Sequence, residues 1–230
     1  MSLLSTFPLA PMLLSFLLPL FYFLITKQIG WRKTSIVFLC CVVIVVLYPL
    51  ISLISSEENH VIVYFLGKLM LFTLFPLLVL TYIEKEKLVF FIKTLGVRKN
   101  NLGLSVLLGC IALFITLLIG LLVSWQMNAN TDILWNVILF FDAFNEEFLF
   151  RGILLLYLMK LTNMPVAFIT SVLAFTFAHP QYFTSFFLIS TMVQGILLGL
   201  ITVKTSNIVG PWISHGLNRT IIQVLRILLS

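Results

Sequence analysis

Apolar residues fill this chain in blocks longer and more uniform than a soluble core uses. From Phe7 onward these blocks alternate with short polar connections. The pattern predicts eight helices, at approximately 8–26, 36–54, 61–83, 102–123, 133–159, 165–179, 183–203 and 208–229. A crossing of the hydrocarbon core takes roughly 20 apolar residues, so the expected fold class is all-α. It is a polytopic membrane helical bundle of about eight transmembrane helices, one membrane domain over residues 1–230. The connection EKEKLVFFIKTLGVRKNN, residues 84–101, is the one long polar stretch and reads as a surface amphipathic segment. The sixth helix, stopped by Pro180, measures only about 22 Å, short of a bilayer core. A helix ending there beside His179 predicts a water-filled cavity.

Composition supports this reading: 61% of residues are hydrophobic and 10% charged, and mean hydropathy is +1.16. The first apolar run lacks a basic leader and a small-residue cleavage site, so it reads as a retained span and not a signal peptide. Cys40, Cys41 and Cys110 fall inside apolar runs without a CxxC pair, which indicates small hydrophobes and neither a disulfide framework nor a thiolate metal site. The net charge of +6 is distributed unevenly. Lys27, Arg32 and Lys33 fall in the first connection, Lys85, Lys87, Lys93, Arg98 and Lys99 in the third, and Lys160 and Lys204 in the fifth and seventh. The even connections, including SSEENH and SWQMNANTD, carry no Lys or Arg. The positive-inside rule then makes the odd connections cytoplasmic and both termini non-cytoplasmic. The excess charge faces the lipid bilayer, and no nucleic-acid partner is expected.

Four basic residues lie within spans. Lys68 and Arg226 are near span ends and read as snorkelling to the interface. Arg151 and Arg219 lie deeper. Arg151 shares the middle of the fifth span with Glu146 and Glu147, where an ionisable group costs on the order of 3 kcal/mol unless it is paired or lines a wet cavity. Glu147 and Arg151 are four residues apart in the favourable helical order and read as a structural salt bridge. Glu146 has no basic residue one turn away on its helix. It needs a partner from another helix and is the better candidate for chemistry.

His179 and His215 are the candidate partners, either as interhelical hydrogen-bonding groups or as catalysts, whereas His60 lies in an acidic outer connection and reads as solvated. Counting from the cytoplasmic helix ends places Glu146 about 21 Å deep, His179 about 21 Å and His215 about 17 Å, one shared layer. A carboxylate and two imidazoles around water admit two chemistries. In one, Glu146 is a general base aided by His179, with His215 and its neighbours stabilising an oxyanion. In the other, Glu146, His179 and His215 hold zinc, though not in the HExxH spacing of soluble zinc proteases.

EEFLFR, with Glu146, Glu147 and Arg151, resembles the EExxxR motif of the CAAX protease and bacteriocin-processing family of intramembrane proteases, the Ras-converting-enzyme type. FTFAH fits that family's FxxxH motif with Phe175 and His179, and HGLNR resembles its third motif. The similarity covers approximately residues 133–225 and includes GILLG, a small-xxx-small helix-packing motif.

The resemblance implies an intramembrane endopeptidase acting on a membrane-associated peptide or protein, of the CAAX or the leader- and signal-peptide type, in a bacterial cell membrane. It implies Glu146 as the water-activating base with His179 as helper, and His215 with an asparagine, Asn218, as oxyanion donors. Glu147, Arg151 and Arg219 become supporting groups. No cofactor is favoured, and zinc on Glu146, His179 and His215 is the alternative. The third motif departs in one place: the family's asparagine commonly stands four residues after the histidine, where this chain has Arg219, with Asn218 one residue early. Arg219 either donates to the oxyanion itself or marks a member without activity. The competing classes are a non-catalytic scaffold or immunity protein of the same fold and a proton-coupled transporter; the latter should show paired broken helices in two repeated halves, and none is apparent.

Overall fold

The computed structural model describes residues 6–26, 30–54, 60–124 and 132–229, and these are almost wholly helical, with no strand among them. Helix α1 opens as a tight 3-10 stretch, Ala10–Phe16, and continues as Leu17–Thr26; α2 is Trp31–Ile54. Helix α3 runs His60–Lys68, widens into a π-helical stretch Leu69–Leu74 and closes as Phe75–Glu84; the short α4 is Leu88–Thr94 and α5 is Leu102–Ser124. Helix α6 runs Ile133–Glu147, widens over Phe148–Tyr157 and ends as Leu158–Leu161; α7 is Met164–Phe177, α8 Phe187–Thr205 and α9 Val209–Leu229.

Every predicted segment coincides with one of these rods, and α4 occupies the predicted amphipathic connection. Its Leu88, Val89 and Phe90 are exposed, and Phe91 is buried against Tyr157. Four stretches among the described residues are long and apolar enough to cross a membrane: Trp31–Ile51, Val61–Glu84, Leu102–Val123 and Phe187–Thr205. Helices α1 and α7 are apolar but shorter, and α6 and α9 carry Asp142, Glu146, Glu147, Arg151 and Arg219. The expected eight crossings thus reduce to four that length and apolarity alone support. The outer connections at 55–59 and 125–131, Lys27, and the side chains of His60 and Arg226 lie outside the described residues.

Local chemistry sets the helix ends. Asp132 caps α6 by accepting from the Trp135 amide at 3.2 Å, and Asn163 caps α7 by accepting from the Val166 amide at 2.9 Å, beside Pro165 in the first turn. Lys160 and Lys204 sit in the last turns of α6 and α8, where a cation complements the helix dipole. Helix α2 starts five residues earlier than expected, taking Lys33 into its first turn, where Nζ meets Glu84 Oε2 at 2.7 Å.

Small residues decide which helices touch. A Cβ on Gly210 would collide with the Ser105 carbonyl oxygen, so α9 and α5 meet backbone to backbone. On Gly216 it would lie 2.6 Å from the Phe140 ring, which seats α9 against α6. Gly195 and Gly199, the GILLG pair, admit the rings of Phe175 and Phe168 from α7. These approaches seat α8 on α7 and α9 on both α5 and α6, and the π stretch of α6 is buried at all ten positions.

Candidate active site

The π stretch of α6 begins at the residue after Glu147, and that of α3 at the residue after Lys68. Wide turns of this kind occur at functional sites because the inserted residue re-aims the side chains on either side. Thr73, in the α3 stretch, donates to Asn145 Oδ1 at 2.8 Å and ties the two helices together there.

Glu146 lies between four partners. Its Oε1 accepts from Lys68 Nζ at 2.6 Å and from Arg219 Nη1 at 3.1 Å. Its Oε2 accepts no hydrogen bond among the described residues. That oxygen faces Nε2 of His179 at 3.9 Å and Nε2 of His215 at 3.7 Å, too far for direct hydrogen bonds and suited to a shared third group. The three residues that the depth count put in one layer therefore meet.

Both imidazoles are oriented from behind. His179 Nδ1 lies 2.8 Å from the Phe175 carbonyl oxygen, which can only accept, so Nδ1 carries the proton and Nε2 of the neutral ring presents its lone pair to the site. His215 Nδ1 lies 2.8 Å from Glu147 Oε1, and a carboxylate imposes the same tautomer. Glu147 Oε2 meets Arg151 Nε at 3.3 Å, as the one-turn spacing predicts, so Glu147 links Arg151 to His215. The Arg151 guanidinium lies over the Phe175 ring, 4.4 Å from its centroid, and that ring packs edge-on against His179 and His215 at 5.0 and 5.4 Å. Phe175, the first residue of FxxxH, fixes both rings.

Helix α7 ends at Phe177, and a cavity of about 510 Å³ opens beside His179, where the short sixth helix predicted one. Lys68, Glu146, His179, His215, Asn218 and Arg219 all contribute to its wall. The two neighbours in the third motif separate here. Asn218 donates its amide N–H to Thr116 Oγ1 on α5 at 2.7 Å, whereas Arg219 Nη1 bridges Asp142 Oδ2 at 3.0 Å and Glu146 Oε1. Arg219, not Asn218, joins the carboxylate.

One expectation is overturned. Lys68 does not snorkel; it is 2% exposed, and Nζ bridges Asp142 Oδ2 at 2.7 Å and Glu146 Oε1. The reason is depth: Lys68 lies about 25 Å from Lys85 along the helix, in the layer of Glu146 and His179. The same count from the cytoplasmic end would have found it. Asp142 was not singled out at all, although it precedes Glu146 by one helical turn in an apolar span.

Glu146, His179 and His215 are zinc-ligand types, with the second nitrogens engaged as metal-bound histidines require. Their 3.7 and 3.9 Å separations exceed the edge of about 3.3 Å that bonds of about 2.0 Å give a tetrahedral site. Two cations already rest on the same carboxylate, and Lys68, Arg151 and Arg219 balance Asp142, Glu146 and Glu147. A further double charge would be uncompensated, so the set fits a dication poorly.

The family model described as type II CAAX prenyl endopeptidase Rce1-like matches residues 129–221, which include Asp142, Glu146, Glu147, Arg151, His179, His215 and Arg219 but not Lys68. Comparison with curated proteins and with solved structures gives no match. Residues 129–221 are thus similar to the Rce1-like type II CAAX prenyl endopeptidase model, which is consistent with the CAAX protease and bacteriocin-processing family, and the four long apolar helices support an integral membrane protein.

Proposed function

We propose that this protein is an intramembrane endopeptidase that hydrolyses a peptide bond of a membrane-associated protein or peptide, using water activated by Glu146 and the two histidines and no metal. The observation that carries this reading is Glu146 Oε2, which accepts no hydrogen bond among the described residues and faces Nε2 of both imidazoles. A water there donates one hydrogen to Oε2 and the other to an Nε2, which turns an oxygen lone pair toward the cavity.

As that oxygen bonds to the scissile carbonyl carbon, Glu146 takes a proton and the carbonyl electrons move to oxygen. Collapse of the tetrahedral species breaks the C–N bond, and the held proton passes to the departing amine through His179. Arg219 is the favoured oxyanion donor, because its side chain is about a quarter exposed and borders the cavity while only Nη1 is engaged by the two carboxylates. Asn218 is disfavoured by its bond to Thr116, and His215 can donate from Nε2 only after its ring gains a proton. The catalytic core is placed at approximately 133–225. The substrate is of the CAAX or the leader- and signal-peptide type, and the setting is a bacterial cell membrane with both termini non-cytoplasmic.

The competing reading is a non-catalytic scaffold or immunity protein, favoured by the presence of Arg219 at the asparagine position in a closed ion network. Incubation of the purified protein with membrane-peptide substrates, with and without a chelator, separates the readings. Chelator-insensitive cleavage is expected. No cleavage of any peptide supports the scaffold, and cleavage abolished by chelation and restored by zinc overturns the metal-free mechanism.

A further inference from the structure

We propose that Lys68 and Asp142 are positioning residues of the reaction centre, holding Glu146 so that Oε1 is engaged and Oε2 alone faces the histidines; this role rests on the proteolytic reading above. Lys68 Nζ and Arg219 Nη1 each contact both Asp142 Oδ2 and Glu146 Oε1, at 2.7, 2.6, 3.0 and 3.1 Å. Two cationic nitrogens and two carboxylate oxygens thus alternate around a square. An isolated Glu146 would turn freely between its two oxygens. In the square one oxygen is fixed by two charge-assisted hydrogen bonds and the other is left to react.

The square also explains how an arginine is accommodated where the third motif of the resembled family commonly has asparagine. A second cation beside Glu146 is matched by a second carboxylate, Asp142, one turn earlier on α6. With Lys68 bridging both carboxylates, Arg219 is free to turn toward a developing oxyanion without leaving either of them unpaired. Lys68 stands on α3, outside the matched residues 129–221, so the site is incomplete without that helix. Asp142 is itself oriented: Asn145 Nδ2 approaches its Oδ1 at 3.5 Å, and Asn145 is held in turn by Thr73 of the α3 π stretch.

The test compares the parent with Lys68→Ala and with the charge-neutral double variant Lys68→Met/Asp142→Asn, in lipid nanodiscs, by peptide-cleavage kinetics and thermal unfolding. The double variant removes one cation and one anion together and is expected to stay folded. A misplaced general base should lower kcat about a hundredfold in both variants, with KM changed less than about threefold. Methylammonium should restore part of the Lys68→Ala rate, and tetramethylammonium, which cannot donate, should not.

A double variant that turns over at the parental kcat would reduce Lys68 to a counter-ion of Asp142 and overturn the proposal. So would a loss confined to KM, or a folded Lys68→Ala on which methylammonium has no effect. If the parent cleaves no peptide, the proteolytic reading fails by itself. The positioning claim is then decided by the structure of the double variant: a displaced Glu146 carboxylate upholds it, and an unmoved one defeats it.

Discussion

Glu146 and His215 face each other at 3.7 Å through Oε2 and Nε2, and each is held from its far side, Glu146 by Lys68 and Arg219 and His215 by Glu147. Oε2 and Nε2 face one another because the hydrogen bonds of both side chains run through their other atoms, Glu146 Oε1 and His215 Nδ1. In the proposed hydrolysis, preorganisation of this kind spares the cost of arranging the groups.

Glu146→Gln keeps the shape of the side chain and cannot accept the proton from water. Cleavage should fall by at least about a hundredfold while the protein stays folded in detergent. Parental activity in this variant would rule Glu146 out as the base. Because the amide also loses the negative charge that Lys68 and Arg219 share, circular dichroism of the variant should accompany the assay.

Glu147→Gln addresses the supporting layer. Arg151 is fully buried and loses its anionic partner, which for a buried pair typically costs about 3–5 kcal/mol. The unfolding midpoint should drop markedly, with residual activity in the folded fraction, since Gln can still accept from His215 Nδ1. An unchanged midpoint would mean that the Arg151 charge is compensated elsewhere.

Arg219→Leu removes the favoured oxyanion donor and should slow cleavage about a hundred- to thousandfold with little change in KM. Arg219→Asn restores the residue of the related motif but leaves Asp142 and Glu146 to share Lys68. Combined with Asp142→Asn it should keep more activity than either single change, because groups in direct contact couple. Strict additivity of the two would argue against the shared network. If only the double variant cleaves and the parent does not, the chain is a disabled protease.

Topology is tested by reporter fusions. The concentration of Lys85, Lys87, Lys93, Arg98 and Lys99 between α3 and α5 should keep that segment cytoplasmic and both termini outside. A C-terminal reporter active only inside the cell would reverse the orientation.

The sequence by itself determined the helices and the depth of the polar layer. Both are local properties: a long apolar block must satisfy its own backbone in lipid, and 1.5 Å per residue converts position into depth. The count puts Glu146, His179 and His215 in one layer, and along the third helix it puts Lys68 there too. The pairing of Glu147 with Arg151 was legible too, because one helical turn separates them.

Tertiary structure decided everything that depends on how each helix is rotated about its axis. Neighbours on α9 differ by about 100°, which sends Asn218 to Thr116 and Arg219 to Glu146; the four-residue spacing puts Arg219 on the face of His215, but no spacing says which helix that face meets. Backbone contact at Gly210 and the seat at Gly216 make that choice by fixing how α9 lies on α5 and α6. The same packing selects which nitrogen of each imidazole faces the carboxylate. It also joins Lys68 to Glu146 across 78 residues of chain, a contact between helices that are remote in sequence and adjacent only once the bundle has formed.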